Sequence, residues 1–201
     1  MKEAKTIGLT GQTGAGKSTI AAYAARQGCA VIEADLVARE ALEKGSDGLK
    51  RLAKVFGYDI IAKDGSCNRK LLAERAFAER EKTDILNSIT HPWSIRRTKE
   101  YIGEYKHKNY DIILFDAPQL FESRGDSLCD YVIAVTAPER IRTERIMKRD
   151  GLDEKAAKLR INAQHDEKYY TERADYIIDG SENPEKIKAI VYEIISHIKN
   201  E

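Results

Sequence analysis

Gly11-Gln12-Thr13-Gly14-Ala15-Gly16-Lys17-Ser18 is the stretch that decides the fold. It fits the spacing G-x-x-x-x-G-K-[ST]. Immediately before it, Thr6 to Leu9 is a short apolar run that reads as a buried strand. Immediately after it, Ser18 to Arg26 is alanine-rich and reads as a helix, with Gly28 to stop it. A loop between a strand end and a helix start can wrap an anion in backbone N–H groups, and the helix dipole adds positive potential there. Side chains larger than alanine would hold the phosphates away, so small residues are required. On this reading residues Gly11 to Thr19 hold the phosphates of a nucleoside triphosphate. Lys17 reaches the β- and γ-phosphates, and the Ser18 hydroxyl ligates Mg²⁺.

Working outward, short apolar runs alternate with helical stretches. Ala30 to Ile32 is a second strand that closes on Glu33-Ala34-Asp35, Asp111 to Phe115 a third, Tyr131 to Val135 a fourth, and Tyr176 to Ile178 a fifth. Apolar residues Ile187, Ile190, Val191, Ile194, Ile195 and Ile198 form one stripe of a last helix, with Asn183-Pro184 as its cap and first turn. The pattern predicts a three-layer α/β/α fold on a five-stranded, mostly parallel sheet. About 75 residues separate the second and third strands, far more than a crossover needs. We expect a single domain, 1–201, with a nucleotide-binding core at 1–35 and 110–201. Residues 36–109 read as an inserted helical lobe, broken at His91-Pro92, and residues 140–170 as a lid region.

Two further sets of side chains suggest the chemistry. Asp116 ends the apolar DIILF run, which would deliver a carboxylate to the metal beside the phosphate loop. Glu33 and Asp35 end the second strand, where a carboxylate can accept the proton of an attacking hydroxyl. Arg145 and Arg149 lie four apart on one helix face and suit the charge of a transferring phosphoryl group. Glu144 and Asp150 beside them would equally suit a solvated ion-paired face. Asp116 is followed by Ala-Pro-Gln, not by D-x-x-G, and no N/T-K-x-D occurs, which argues against a GTPase. Asp116-Ala117 lacks the Asp-Glu of helicases and AAA-type motors.

Composition sets outer limits. The 34 basic and 33 acidic residues leave a net charge of +1, which gives no global attraction for nucleic acid or anionic lipid. The three cysteines are unpaired in pattern, and the amino terminus lacks a signal peptide, so reduced thiols in the cytoplasm are expected. No stretch approaches the ~20 apolar residues of a membrane span. We expect a monomer or weak homo-oligomer.

The motifs together resemble the dephospho-CoA kinase family over nearly the whole chain. The resemblance is carried by GLTGQTGAGKST (8–19), EADLVARE (33–40), LNSITHP (86–92), APQLFE (117–122), RIMKRD (145–150) and ADYIIDG (174–180). It implies ATP-dependent phosphorylation of the ribose 3′-hydroxyl of dephospho-CoA, the final step of coenzyme A synthesis. It also implies a nucleotide-kinase fold with a helical CoA-binding lobe and an arginine-bearing lid. Carried over by position, Glu33 is the base, Asp35 and Arg39 line the acceptor site, and His91 and Pro92 lie in the receiving lobe. Asp116 stands by the metal, Arg145 and Arg149 belong to the lid, and Gln164 matches a downstream glutamine. Four positions depart: Glu33 for the family's Asp, Gln119 for an apolar residue, Arg142 for a frequent glutamine near the adenine, and Gly180 for Asn. Arg96-Arg97-Thr98-Lys99 is a solvated helix face or a contact for the acceptor's pyrophosphate. The competing expectations are another small-molecule kinase of the same fold, acting on a nucleoside or nucleotide, and an ATP-dependent switch without transfer.

Overall fold

The computed structural model describes residues 3–201. Its elements in chain order are β1 (Lys5–Gly11), α1 (Lys17–Arg26), β2 (Ala30–Glu33), α2 (Ala34–Glu40), α3 (Asp47–Phe56), α4 (Arg69–Ala76), α5 (Arg80–His107), β3 (Ile112–Asp116), β4 (Tyr131–Thr136), α6 (Glu139–Asp150), α7 (Glu154–Asn162), α8 (Glu167–Thr171), β5 (Tyr176–Asp179) and α9 (Pro184–Asn200). The five strands form one sheet in the order β2-β3-β1-β4-β5. β1 pairs in parallel with β3 and β4, and β4 with β5; Leu9 lies opposite both Asp116 and Ile133. Parallel strands put their carboxyl ends on one edge. Successive connections leave β1 toward β3 and β2 on one side and toward β4 and β5 on the other. That reversal opens the crevice in which such sheets bind ligands.

The chain divides into two compact units, residues up to Ile32 with Ile102–Glu201, and Glu33–Tyr101. In the first unit, Ile7, Leu9, Ile133, Val135 and Ile178 of the sheet bury against Ile20 and Ala24 of α1 and the stripe of α9. The stripe is the one read from the sequence, with Ile190 only partly buried at its rim. Asn183 caps α9 by accepting the N–H of Lys186 at 2.8 Å. Each buried aliphatic side chain of this kind contributes about 1.5–3 kcal/mol, so the sheet face and two helices hold β1 rigidly.

The second unit has its own core: Leu49, Leu52, Ala53 and Phe56 of α3 with Ile60, Leu72 and Ala76. Ser46 caps α3, accepting from the Leu49 N–H at 3.0 Å. Glu40 ties α2 to α5, accepting from Arg97 Nε at 2.9 Å and the Tyr101 hydroxyl at 2.6 Å.

The expected break at His91-Pro92 does not occur. α5 runs unbroken from Arg80 to His107 with Pro92 inside it. Proline costs a helix interior one donor and one clash, but packing outweighs this. Ile85, Leu86 and Ile89 of the same helix sit against the second unit's core. The penalty is carried by the fold, so Pro92→Ala is expected to stabilise this unit by roughly 1–3 kcal/mol. Urea denaturation followed by circular dichroism checks it; an unchanged or lower midpoint contradicts it. Among the described residues no helix is long and apolar enough to cross a membrane.

Candidate active site

Gly11 ends β1 at φ 132°, and a Cβ there would lie 2.2 Å from the Val135 carbonyl oxygen of β4. The chain can leave the sheet at this point only without a side chain. Gly11→Ala is therefore expected to lower the melting temperature and to erase the stabilisation that ATP gives, as read by differential scanning fluorimetry with and without ATP. A normal ATP shift contradicts it.

The loop then delivers Gly16, at φ 113°, as the N-cap of α1. No side chain caps this helix. The helix dipole therefore gives this start a positive potential suited to an anion. Lys17, the first residue of α1, folds back so that Nζ donates to the carbonyls of Gly11 at 2.7 Å and Gln12 at 3.4 Å. Its ammonium is held over the loop in this way. Ser18 and Thr19 follow, both exposed.

The loop is held by side chains that reach backbone atoms across it. Arg145 Nη1 donates to Gly14 O at 3.1 Å and Ala15 O at 3.0 Å, and Nη2 to Gly180 O at 2.7 Å. Gly180 is packed so closely that a Cβ there would stand 2.0 Å from the Ala15 oxygen. Thr13 N–H donates to Gln164 Oε1 at 2.7 Å, and Gln12 Nε2 to His165 O at 2.9 Å. Arg142 lies buried beside the loop, its Nε on the Ala137 carbonyl at 3.0 Å. Burial pushes its guanidinium pKa down.

The two arginines expected to act as a pair diverge here. Arg145 faces the loop, whereas Arg149 Nε bonds its neighbour Asp150 at 2.8 Å. That bond raises the Arg149 pKa and holds the Asp150 carboxyl below its ordinary value. Arg160 joins the same carboxylate. The basic stretch of α5 also resolves differently from one of its two readings. Arg97 is engaged by Glu40 and by Glu100, the latter at 2.8 Å, which leaves Arg96 and Lys99 as the exposed charges.

Asp116 ends β3 beside Leu9, two residues before Gly11, so a carboxylate stands at the same sheet edge as the loop. With Ser18 it supplies two oxygen donors. Mg²⁺ at nucleotide sites takes one or two side-chain oxygens and completes its shell with phosphates and water. The donor set fits that ion. Among the described residues there is no cluster of three or more His, Cys, Asp or Glu that would hold a metal alone.

In the second unit, Glu33 occupies the N-cap of α2, yet its side chain makes no capping bond, and it is exposed. Asp35 and Arg39 are exposed four residues apart on α2, and His91 and Pro92 lie within α5.

A strand–loop–helix phosphate site with an ammonium on the helix start and a carboxylate on the adjacent strand defines a P-loop nucleotide-binding protein of the α/β class. The sequence profile of the dephospho-CoA kinase family matches residues 5–186. The chain is 38% identical over 200 residues to the dephospho-CoA kinase of Listeria innocua, covering 98% of each chain. Its fold superposes on a crystal structure from Thermus thermophilus with a TM-score of 0.79 at 28% identity, covering 98% of each chain. It superposes on the dephospho-CoA kinase of Campylobacter jejuni with a TM-score of 0.66 at 25% identity, covering 98% and 99% of the two chains. The chain belongs to the dephospho-CoA kinase family.

Proposed function

We propose that this chain transfers the γ-phosphate of ATP to the ribose 3′-hydroxyl of dephospho-CoA, giving coenzyme A and ADP, with the residue roles that follow. The observation that carries this reading is the uncapped start of α1 behind Lys17, in a chain of this family. Backbone N–H groups of the loop bind the β- and γ-phosphates, and Lys17 neutralises charge on them. Glu33, its carboxylate not used as a cap, accepts the proton of the attacking hydroxyl. Asp35, Arg39, His91 and Pro92 belong to the 33–101 unit, which receives the acceptor. Arg145 contributes its charge at the loop, and Arg149 contributes from the same helix. Mg²⁺ held by Ser18 and Asp116 would offset the triphosphate's negative charge when bound. Transfer of this kind is positioning plus charge stabilisation, with little covalent work for the protein.

We place the protein in the cytoplasm as a monomer or weak homo-oligomer, without nucleic-acid or membrane partners. Burial pushes Cys29 up to about 11 and Cys129 up to about 12, so both thiols stay protonated.

The test is ADP formation by the purified protein with and without dephospho-CoA, with the product's phosphate located by mass spectrometry. Turnover that requires dephospho-CoA and yields the 3′-phosphate supports the reading. ADP release independent of the acceptor, transfer to a nucleoside instead, or no turnover overturns it.

A further inference from the structure

The phosphate loop is fastened from outside at its second and third residues by a segment far along the chain. Thr13 donates its backbone N–H to the Gln164 side chain at 2.7 Å, and the Gln12 side chain donates to the His165 carbonyl at 2.9 Å. Both bonds are donated by the loop and accepted by the 164–165 pair, one from backbone to side chain and the other from side chain to backbone, forming a two-point clasp. Gln12 is only 6% exposed, so water cannot readily take over its amide contact. Within the loop the turn is tied by Ala15 N–H to Gln12 O at 3.2 Å and by Lys17 Nζ to the Gly11 and Gln12 carbonyls at 2.7 and 3.4 Å, and none of these holds the Thr13 N–H.

The outer half of the clasp is itself firmly placed. Gln164 follows the last turn of α7, its N–H on the Ile161 carbonyl at 3.2 Å. The His165 ring stacks on Tyr169 at 3.8 Å between centroids, 17° from parallel. Asp166 caps α8 by accepting the Tyr169 N–H at 3.0 Å. The segment is thereby pinned between the end of one helix and the capped start of the next.

We propose that Gln164, with Gln12 as its counterpart, is a positioning residue for ATP. It holds the 12–13 turn in the one arrangement from which the following loop N–H groups converge on the triphosphate. A loop that loses the clasp spends only part of its time in that arrangement, and the apparent affinity for ATP falls by that fraction. The inference rests on the reading that this loop holds ATP. Neither glutamine is given a role in the transfer step itself, so the effect is expected on ATP binding.

Gln164→Met keeps length and volume but removes the acceptor. Its KM for ATP is expected to rise about tenfold. The KM for dephospho-CoA and the kcat at saturating ATP should stay within about twofold. Gln12→Met should move the same constant in the same direction. The double variant should raise KM by less than the product of the single effects, since both loosen one turn. A merely structural role would lower kcat and melting temperature together and leave the KM for ATP in place, and that result overturns the inference. If Gln164→Met does not fold, the same split in Gln164→Asn, which draws the acceptor oxygen back by one methylene, decides. ATP titration by calorimetry on wild type and variants separates the two levels. Unaltered ATP affinity in the variants overturns the clasp even where the wild type is an active kinase. A wild type that binds ATP but does not use dephospho-CoA overturns the function and leaves the clasp to stand on the titration.

Discussion

Lys17→Met is expected to lower kcat/KM for ATP by about 10³-fold, roughly 4 kcal/mol of lost transition-state stabilisation. Two features of the site set this size. The ammonium is held in place by the Gly11 and Gln12 carbonyls, so little ordering is needed when the triphosphate arrives. It also stands on the first residue of a helix whose start no side chain caps, so no other charged group on α1's first turn can take its place. Loss of a preorganised donor at such a point falls on kcat as well as on binding. Lys17→Arg should recover little, because a planar fork cannot occupy the space of a compact ammonium. Single-turnover transfer with unchanged circular dichroism checks the claim. A variant within tenfold of wild type would remove Lys17 from the chemistry.

Glu33→Gln is expected to lower kcat by 10²- to 10⁴-fold, the range for losing a positioned general base, with the KM for ATP within a few-fold of wild type. The side chain is exposed at an N-cap and is not consumed in capping, so its loss should not unfold α2. Glu33→Asp restores the carboxylate while shortening the reach by a methylene, about 1.5 Å. It should exceed the glutamine variant by at least tenfold. Equal rates in glutamine, aspartate and wild-type forms would show that the proton leaves by another route.

The parts of the fold that were legible in the sequence were those written locally. A loop of fixed spacing between a strand and a helix needs no knowledge of the rest of the chain. The stripe on α9 reports its own buried face, and the five strands lie within a residue or two of where apolar runs placed them. Pro92 stays inside α5 because Ile85, Leu86 and Ile89 of the same helix pack on the second unit's core, which the proline alone does not reveal. The spacing of Arg145 and Arg149 shows that they share a face, but not what stands opposite. One guanidinium reads three backbone carbonyls and the other its sequence neighbour. Carbonyl partners have no residue identity, so the contacts of Arg145 and of Gln12 leave no signature in the sequence. The proposed base role of Glu33 rests on its place at the strand's end and on the family resemblance.

The missing side chain at position 180 has a consequence for protein engineering. Replacing an outlying residue with the one its relatives favour is a common route to greater stability. Here that route should fail: reinstating asparagine would drive its Cβ into the Ala15 oxygen unless the loop gives way. The gap at 180 and the path of the loop at Ala15 depend on each other sterically, so a side chain introduced at 180 needs a compensating change in the loop.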